Sequence, residues 1–122
     1  MTAIDVIAGD FTAMLRAGRF EDAGEKYWAS DVVSIEPADL PGGIRACVTG
    51  IDAARIKCDA RFGSALVEEI GIDGPFVTGD QFALFLDLVT LDPLTGERRS
   101  LTEIALYTVR DNLIAEERHF YD

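Results

Sequence analysis

The sequence predicts an α+β protein, with helices in the first half and long antiparallel strands in the second. Three observations carry this. Three stretches before Gly63 carry apolar residues at helical spacing, and beyond it the spacing is that of strands. Two turns, Asp92 to Gly96 and Arg110 to Asn112, divide residues 81–121 into three long strands. The strands follow the helices rather than alternate with them, which points away from a βαβ arrangement.

The 122 residues suffice for one domain with a real core. Nearly half are apolar, which argues against disorder. The net charge of −11 argues against nucleic acid and anionic membrane surfaces as partners. It favours small neutral or cationic ligands. No basic leader or spanning apolar run is present in the sequence, so a cytoplasmic location is expected. Cys47 and Cys58 form no CxxC pair and sit near no histidine cluster, so they read as packing thiols, with no metal site and no cofactor expected.

Thr2 to Asp5 forms a capping box that opens the first helix. Ile4, Ile7, Phe11 and Leu15 share its buried face, and Gly18 ends it. Phe20, Ala23, Gly24, Tyr27 and Trp28 make the stripe of a second helix, broken at Ser30-Asp31. Val32 to Glu36 is a β-branched strand stopped by Pro37, and Ile44 to Val48 reads as a short return strand. Thr49 to Asp52 reads as a second capping box. Its helix turns Ile51, Ala54, Cys58 and Phe62 inward and ends at Gly63. Ser64 to Ile72 is the next strand, bent or bulged at Gly71 to Gly74 and resumed at Phe76 to Thr78.

Along Gln81 to Leu91 both faces are apolar. Phe82, Leu84, Leu86 and Leu88 lie on one, and Ala83, Phe85, Asp87 and Val89 on the other. Three helices cover one face. The second face predicts a homodimer through the sheet, or a sheet bent round its own core.

Three segments resemble a known family. Phe11 to Phe20 with Tyr27 to Val33 is similar to the opening of SnoaL-like and ketosteroid-isomerase-like proteins, within the nuclear transport factor-like superfamily. Gly50 to Arg55 resembles the start of their third helix, and Arg110 to Asp122 their closing strand. The resemblance implies a cone-shaped curved antiparallel sheet wrapped around the helices, with a hydrophobic pocket at the open end. It implies a small hydrophobic organic ligand. It also implies cofactor-free chemistry of isomerase, cyclase, dehydratase or epoxide-hydrolase type, or non-catalytic binding.

The isomerase machinery carries over in part. Its general-base aspartate before a proline matches Glu36 before Pro37. Its oxyanion-hole tyrosine matches Phe11, which lacks a hydroxyl, and its second donor falls at about Ala105. Losing one such donor costs a factor of about 10²–10³, so ketosteroid isomerisation itself is not expected. The closing strand is also similar to an epoxide-hydrolase-like run whose acidic position falls on His119. A one-residue bulge would instead turn Glu116, Arg118 and Phe120 inward.

The candidate catalytic residues are therefore Glu36, Glu103 and His119. Glu36 is a base whose pKa an apolar cone would raise, or a solvated strand-end carboxylate. His119, the single histidine, is an acid or base at the pocket mouth, or a surface residue. Glu103 orients His119 across the strands, or pairs with Arg98 or Arg118. Asp87 marks a pocket or an interface salt bridge. Phe11, Tyr27, Trp28, Phe62, Phe85 and Tyr107 line a pocket for a flat ligand, or are core. A third possibility is an assembly module with its pocket filled by its own side chains.

Overall fold

The computed structural model describes residues 2–122 as three helices and six strands. Helix α1 spans Ala3–Arg16, α2 spans Phe20–Tyr27 and α3 spans Ile51–Phe62. The strands are β1 (Trp28–Ile35), β2 (Cys47–Thr49), β3 (Leu66–Thr78), β4 (Gln81–Leu91), β5 (Arg98–Arg110) and β6 (Leu113–Phe120). They form one open sheet in the order β2-β1-β6-β5-β4-β3.

The first helix forms as its sequence dictates. Thr2 and Asp5 cap each other's backbone in a capping box. At the far end Gly18, at φ +77°, lets Gly18 N–H donate to Leu15 and Arg19 N–H donate to Met14. That is the Schellman arrangement, and it satisfies two orphan carbonyls. Arg16 then donates to the carbonyls of Ile72 and Gly74 on β3.

Four local expectations need correction. Trp28 does not continue α2; it is the first residue of β1, and Ser30-Asp31 lies inside the strand. Burial of the indole decides this, because it lies over Gly24, where a Cβ would fall 2.3 Å from the ring. Thr49 does not cap α3: the N-cap is Gly50, at φ +100°, with no side-chain cap. The return strand is shorter than expected, only Cys47–Thr49, with an isolated bridge from Leu40 to Ile44 before it. Finally, β1 runs parallel to β6, so the sheet is mixed rather than wholly antiparallel.

The predicted bend in β3 is a bulge. Asp73 pairs with Phe85 and Phe76 with Ala83, leaving Gly74 and Pro75 opposite one residue. Gly74, at φ +118°, passes so close to β4 that a Cβ would lie 2.9 Å from the Ala83 carbonyl.

Alternation places Phe82, Leu84, Leu86 and Leu88 of β4 inward, all buried. Each such burial is worth about 1.5–3 kcal/mol. Phe82 stacks on Tyr107 at 4.7 Å, and Phe11 meets Tyr107 edge-on at 4.9 Å. The opposite face of β4 to β6 is open. Phe85, Ile104 and Phe120 pair across three strands and are 38–48 % exposed. No helix among the described residues is long and apolar enough to cross a membrane.

Candidate active site

The register of β5 and β6 builds the site. Ala105 pairs with His119, and Tyr107 with Glu117. The irregularity in this pair lies between Thr108 and Val109, opposite the start of β6, so it leaves the end of the strand in phase. Glu117 and His119 therefore point inward with Glu103, Ala105 and Tyr107, while Arg118 and Phe120 face out. The alternative register does not occur.

Helix α3 supplies the opposite wall. Its inward residues are Ala54 and, one turn on, Lys57. Arg61 follows four residues later on the same side. The buried face is thus rotated from the expected one: Ile51, Cys58 and Phe62 are half-buried at its margins. The physical reason is what lies below them. The strands present carboxylates there, and cations meet them.

Six ionisable side chains converge. Lys57 Nζ donates to Glu36 Oε1 at 2.7 Å, with both side chains 1 % exposed. Arg61 donates to Glu103. His119 Nδ1 lies 3.6 Å from Glu103 Oε1, an ion-pair contact beyond hydrogen-bond reach. His119 Nε2 lies 3.3 Å from Glu117 Oε2. Glu117 also accepts from Trp28 Nε1 at 2.5 Å and from Ser34 Oγ at 2.8 Å. Isolated, such charges would be prohibitive to bury; paired, they tolerate it. Formally, three carboxylates balance Lys57, Arg61 and a protonated His119.

The titration behaviour follows from these contacts. Burial works against the charged imidazole, but Glu103 and Glu117 outweigh it and raise His119 to about 9. Burial likewise pushes the Glu117 carboxyl up, but His119, Trp28 and Ser34 outweigh it and hold it at about 2. Glu103 is held below its ordinary range by His119 and Arg61, again against burial. At neutral pH the site therefore carries an imidazolium between two carboxylates. Burial raises the Cys58 thiol to about 12, so it is no thiolate nucleophile.

These groups border a cavity of ≈ 50 Å³ together with Phe11, Trp28, Phe62 and Tyr107. A water needs about 10–15 Å³ in this measure, so the cavity holds a few waters or one small functional group. Three buried polar atoms at its wall make no hydrogen bond: Glu36 Oε2, Arg61 Nε and His119 Nδ1, the last facing Glu103 and the first belonging to a carboxylate near enough to Tyr121 to join burial in raising its hydroxyl. A wider groove of ≈ 540 Å³ shares Arg61 and Phe62 with it. The Arg61 guanidinium lies against Tyr121 at 4.4 Å and Phe62 at 5.2 Å, at the boundary of the two.

Seven of the ten sequence candidates thus border one cavity: Glu36, Glu103, His119, Phe11, Trp28, Phe62 and Tyr107. Three do not. Tyr27 turns its hydroxyl away to Asp10 on α1. Phe85 and Asp87 lie on the outer face, because strand alternation opposes them to Leu84 and Leu86. Glu36 is buried, but its neighbour is the Lys57 ammonium, so its surround is not the expected apolar one. Lys57, Arg61 and Glu117 were not among the candidates. The signal for the first two was a basic pair at i and i+4 on a helix of a strongly acidic chain. For Glu117 it was the i, i+2 spacing to His119.

Comparison with known proteins agrees with the fold. The family model of the SnoaL-like domain matches residues 1–121. A Mesorhizobium loti protein, provisionally described as a SnoaL-like polyketide cyclase, is 40 % identical. The match covers 99 % of this chain and all of that one, with a TM-score of 0.85. An NTF2-like protein of unknown function from Burkholderia pseudomallei shares 13 % identity, with coverage of 100 % and 92 % and a TM-score of 0.76. A Bacillus subtilis protein provisionally described as an isomerase also shares 13 %, with coverage of 100 % and 90 % and a TM-score of 0.73. These last two speak for the fold alone. No curated protein matches the chain.

Proposed function

This chain belongs to the SnoaL-like family, and from that premise we propose that it is an acid–base catalyst acting on a small carbonyl compound. The reaction is of isomerase or cyclase type and uses the chain's own side chains alone. The observation that carries this reading is the meeting, in one buried cavity, of the His119 imidazolium and the free oxygen of Glu36.

Each residue then has a role. Glu36 Oε2 accepts a proton from the carbon beside the carbonyl, while Oε1 stays on Lys57. The negative charge that develops on the carbonyl oxygen faces His119 Nδ1–H and Arg61 Nε–H. These two donors take over the task for which Phe11 and Ala105 lack the groups. Positioned proton transfer of this kind contributes about 10²–10⁴-fold. Glu103 and Glu117 are positioning residues: they keep His119 protonated and fix its ring. Phe11, Trp28, Phe62 and Tyr107 exclude water. The polar head of the ligand sits inside, and the rest of it extends into the groove beyond Arg61.

A second copy of the chain is the proposed cover for Phe85, Ile104 and Phe120 on the outer face, supported by their exposure and mutual pairing. Both cysteines are free, in keeping with a reducing cytoplasm. A second reading, ligand binding without turnover, is favoured by the small volume of the inner cavity.

The test is proton exchange at carbon. The protein is incubated in deuterated buffer with a panel of simple ketones and 1,3-diketones, and deuterium uptake beside the carbonyl is followed by NMR. We expect catalysed uptake that falls at least 100-fold in Glu36→Gln and in His119→Gln. Binding with no uptake above the buffer rate for any compound would favour the second reading.

A further inference from the structure

The chain holds eleven basic residues, and only two of them are lysines, Lys26 and Lys57. Lys26 is exposed and pinned to Asp10. Lys57 is the opposite: its side chain is 1 % exposed and lines the inner cavity. Arginine is the better residue for a buried ion pair, with a planar fork that matches a carboxylate. The neighbouring buried pair uses it, as Arg61 with Glu103. Where the second pair meets Glu36, the chain places a lysine instead. A lysine differs from an arginine in one chemical respect that matters here: it can give up its proton and become a nucleophile.

The surroundings favour that step. The proton acceptor is already in place, since Nζ donates to Glu36 Oε1 at 2.7 Å. Arg61 and His119 line the same cavity and offer donors to the carbonyl oxygen as the nitrogen attacks. Glu36 keeps a second oxygen that makes no hydrogen bond.

We propose that Lys57 forms a Schiff base with an aldehyde or ketone in the inner cavity. This extends the acid–base reading above and rests on it. Lys57 first passes a proton to Glu36, leaving an amine and a carboxylic acid. The amine nitrogen bonds to the carbonyl carbon. A proton moves from nitrogen to oxygen, giving a neutral carbinolamine. Glu36 returns its proton to the departing hydroxyl, which leaves as water. The product is an iminium on Lys57 beside a Glu36 carboxylate. One ammonium and one carbonyl have become one iminium and one water, so charge and atoms balance without any other reactant. The iminium draws electrons from the adjacent carbon. Glu36 then removes a proton there more easily than from the free ketone.

The experiment is chemical trapping on the whole chain. The protein is mixed with pentane-2,4-dione or with a simple ketone such as cyclohexanone. Conjugated enaminone absorption is read for the first, and borohydride-reduced adducts by intact mass for the second. Tryptic mapping assigns the site. We expect one adduct per chain, on Lys57, with labelling of Lys26 and of the N-terminal amine at least tenfold lower. Lys57→Arg keeps a cation for Glu36 and removes the nucleophile; it should abolish the adduct and lower deuterium uptake at least tenfold. No adduct, or adducts on Lys26 or the N-terminus alone, overturns the proposal, and mapping of the unaltered protein decides this even if the variant does not fold. The two readings fail separately. Deuterium uptake without an adduct ends the Schiff base and leaves the acid–base site; an adduct on Lys57 without uptake does the reverse.

Discussion

The inner face of the sheet has two halves that solve burial in opposite ways. Under α1, Phe11, Phe82 and Tyr107 stack with nothing charged among them. Under α3, the same strands present Glu103, Glu117 and His119 to Lys57 and Arg61. On β5 the change spans five residues, from Tyr107 through Ala105 to Glu103. The first half stabilises the fold by removing apolar area from water. The second half gains little net stability, because the desolvation of six charges offsets their attraction. Charges kept at that cost, beside a cavity and with unpaired atoms, are the reason the proposed chemistry is assigned to this half.

Substitution should separate the halves. Phe82→Ala in the apolar half is expected to cost about 3–5 kcal/mol in urea unfolding, with no single second change restoring it. Lys57→Met in the charged half should cost about 3–5 kcal/mol as well, because it strands Glu36. The difference lies in rescue. The double variant Glu36→Leu with Lys57→Met should recover most of the loss while deuterium uptake stays absent. A double variant as unstable as the single one would mean that the charged half is structural in the same sense as the apolar half.

Acidity should act on one half alone. His119 is raised above its ordinary value, so its contribution is fully present below pH 6.5 and fades as pH rises through about 9. Glu117 is depressed, so its contribution is present above pH 4.5 and fades as pH falls through about 2. The two describe one interaction from both ends and count once. Unfolding free energy should therefore be highest between about pH 4.5 and 6.5 and decline on either side. Replacing His119 by Gln should flatten the alkaline limb.

The apolar half was legible in the sequence, because Phe82, Leu84, Leu86 and Leu88 alternate without interruption and Phe11 and Leu15 keep helical spacing. The charged half was legible only in its strands, where Glu103 and His119 broke apolar runs. Lys57 and Arg61 were hidden for a physical reason: on a helix, a cation at i and i+4 looks the same whether it meets water or a buried carboxylate. The parallel pairing of β1 with β6 was hidden too, since it joins residues far apart in the chain and leaves no local mark. Phe85 and Asp87 lie on the outer face because alternation along β4 sets them opposite Leu84 and Leu86, and the sequence alone does not say which face of a two-faced strand meets the pocket.

The outer face gives the smallest expected effect. Phe85→Ser should cost the isolated chain about 1 kcal/mol, through the lost cross-strand contact with Ile104. If a second copy covers this face, the same change should instead shift the sedimenting species from dimer to monomer.

The most direct test of the account is the titration of the single histidine. The ring nitrogens and carbons of His119 are followed by NMR from pH 5 to 10.5. A midpoint near 9 is expected, with both nitrogens protonated at pH 7. A midpoint at or below 6.5 would contradict it, because the imidazolium between Glu103 and Glu117 would then not exist at neutral pH.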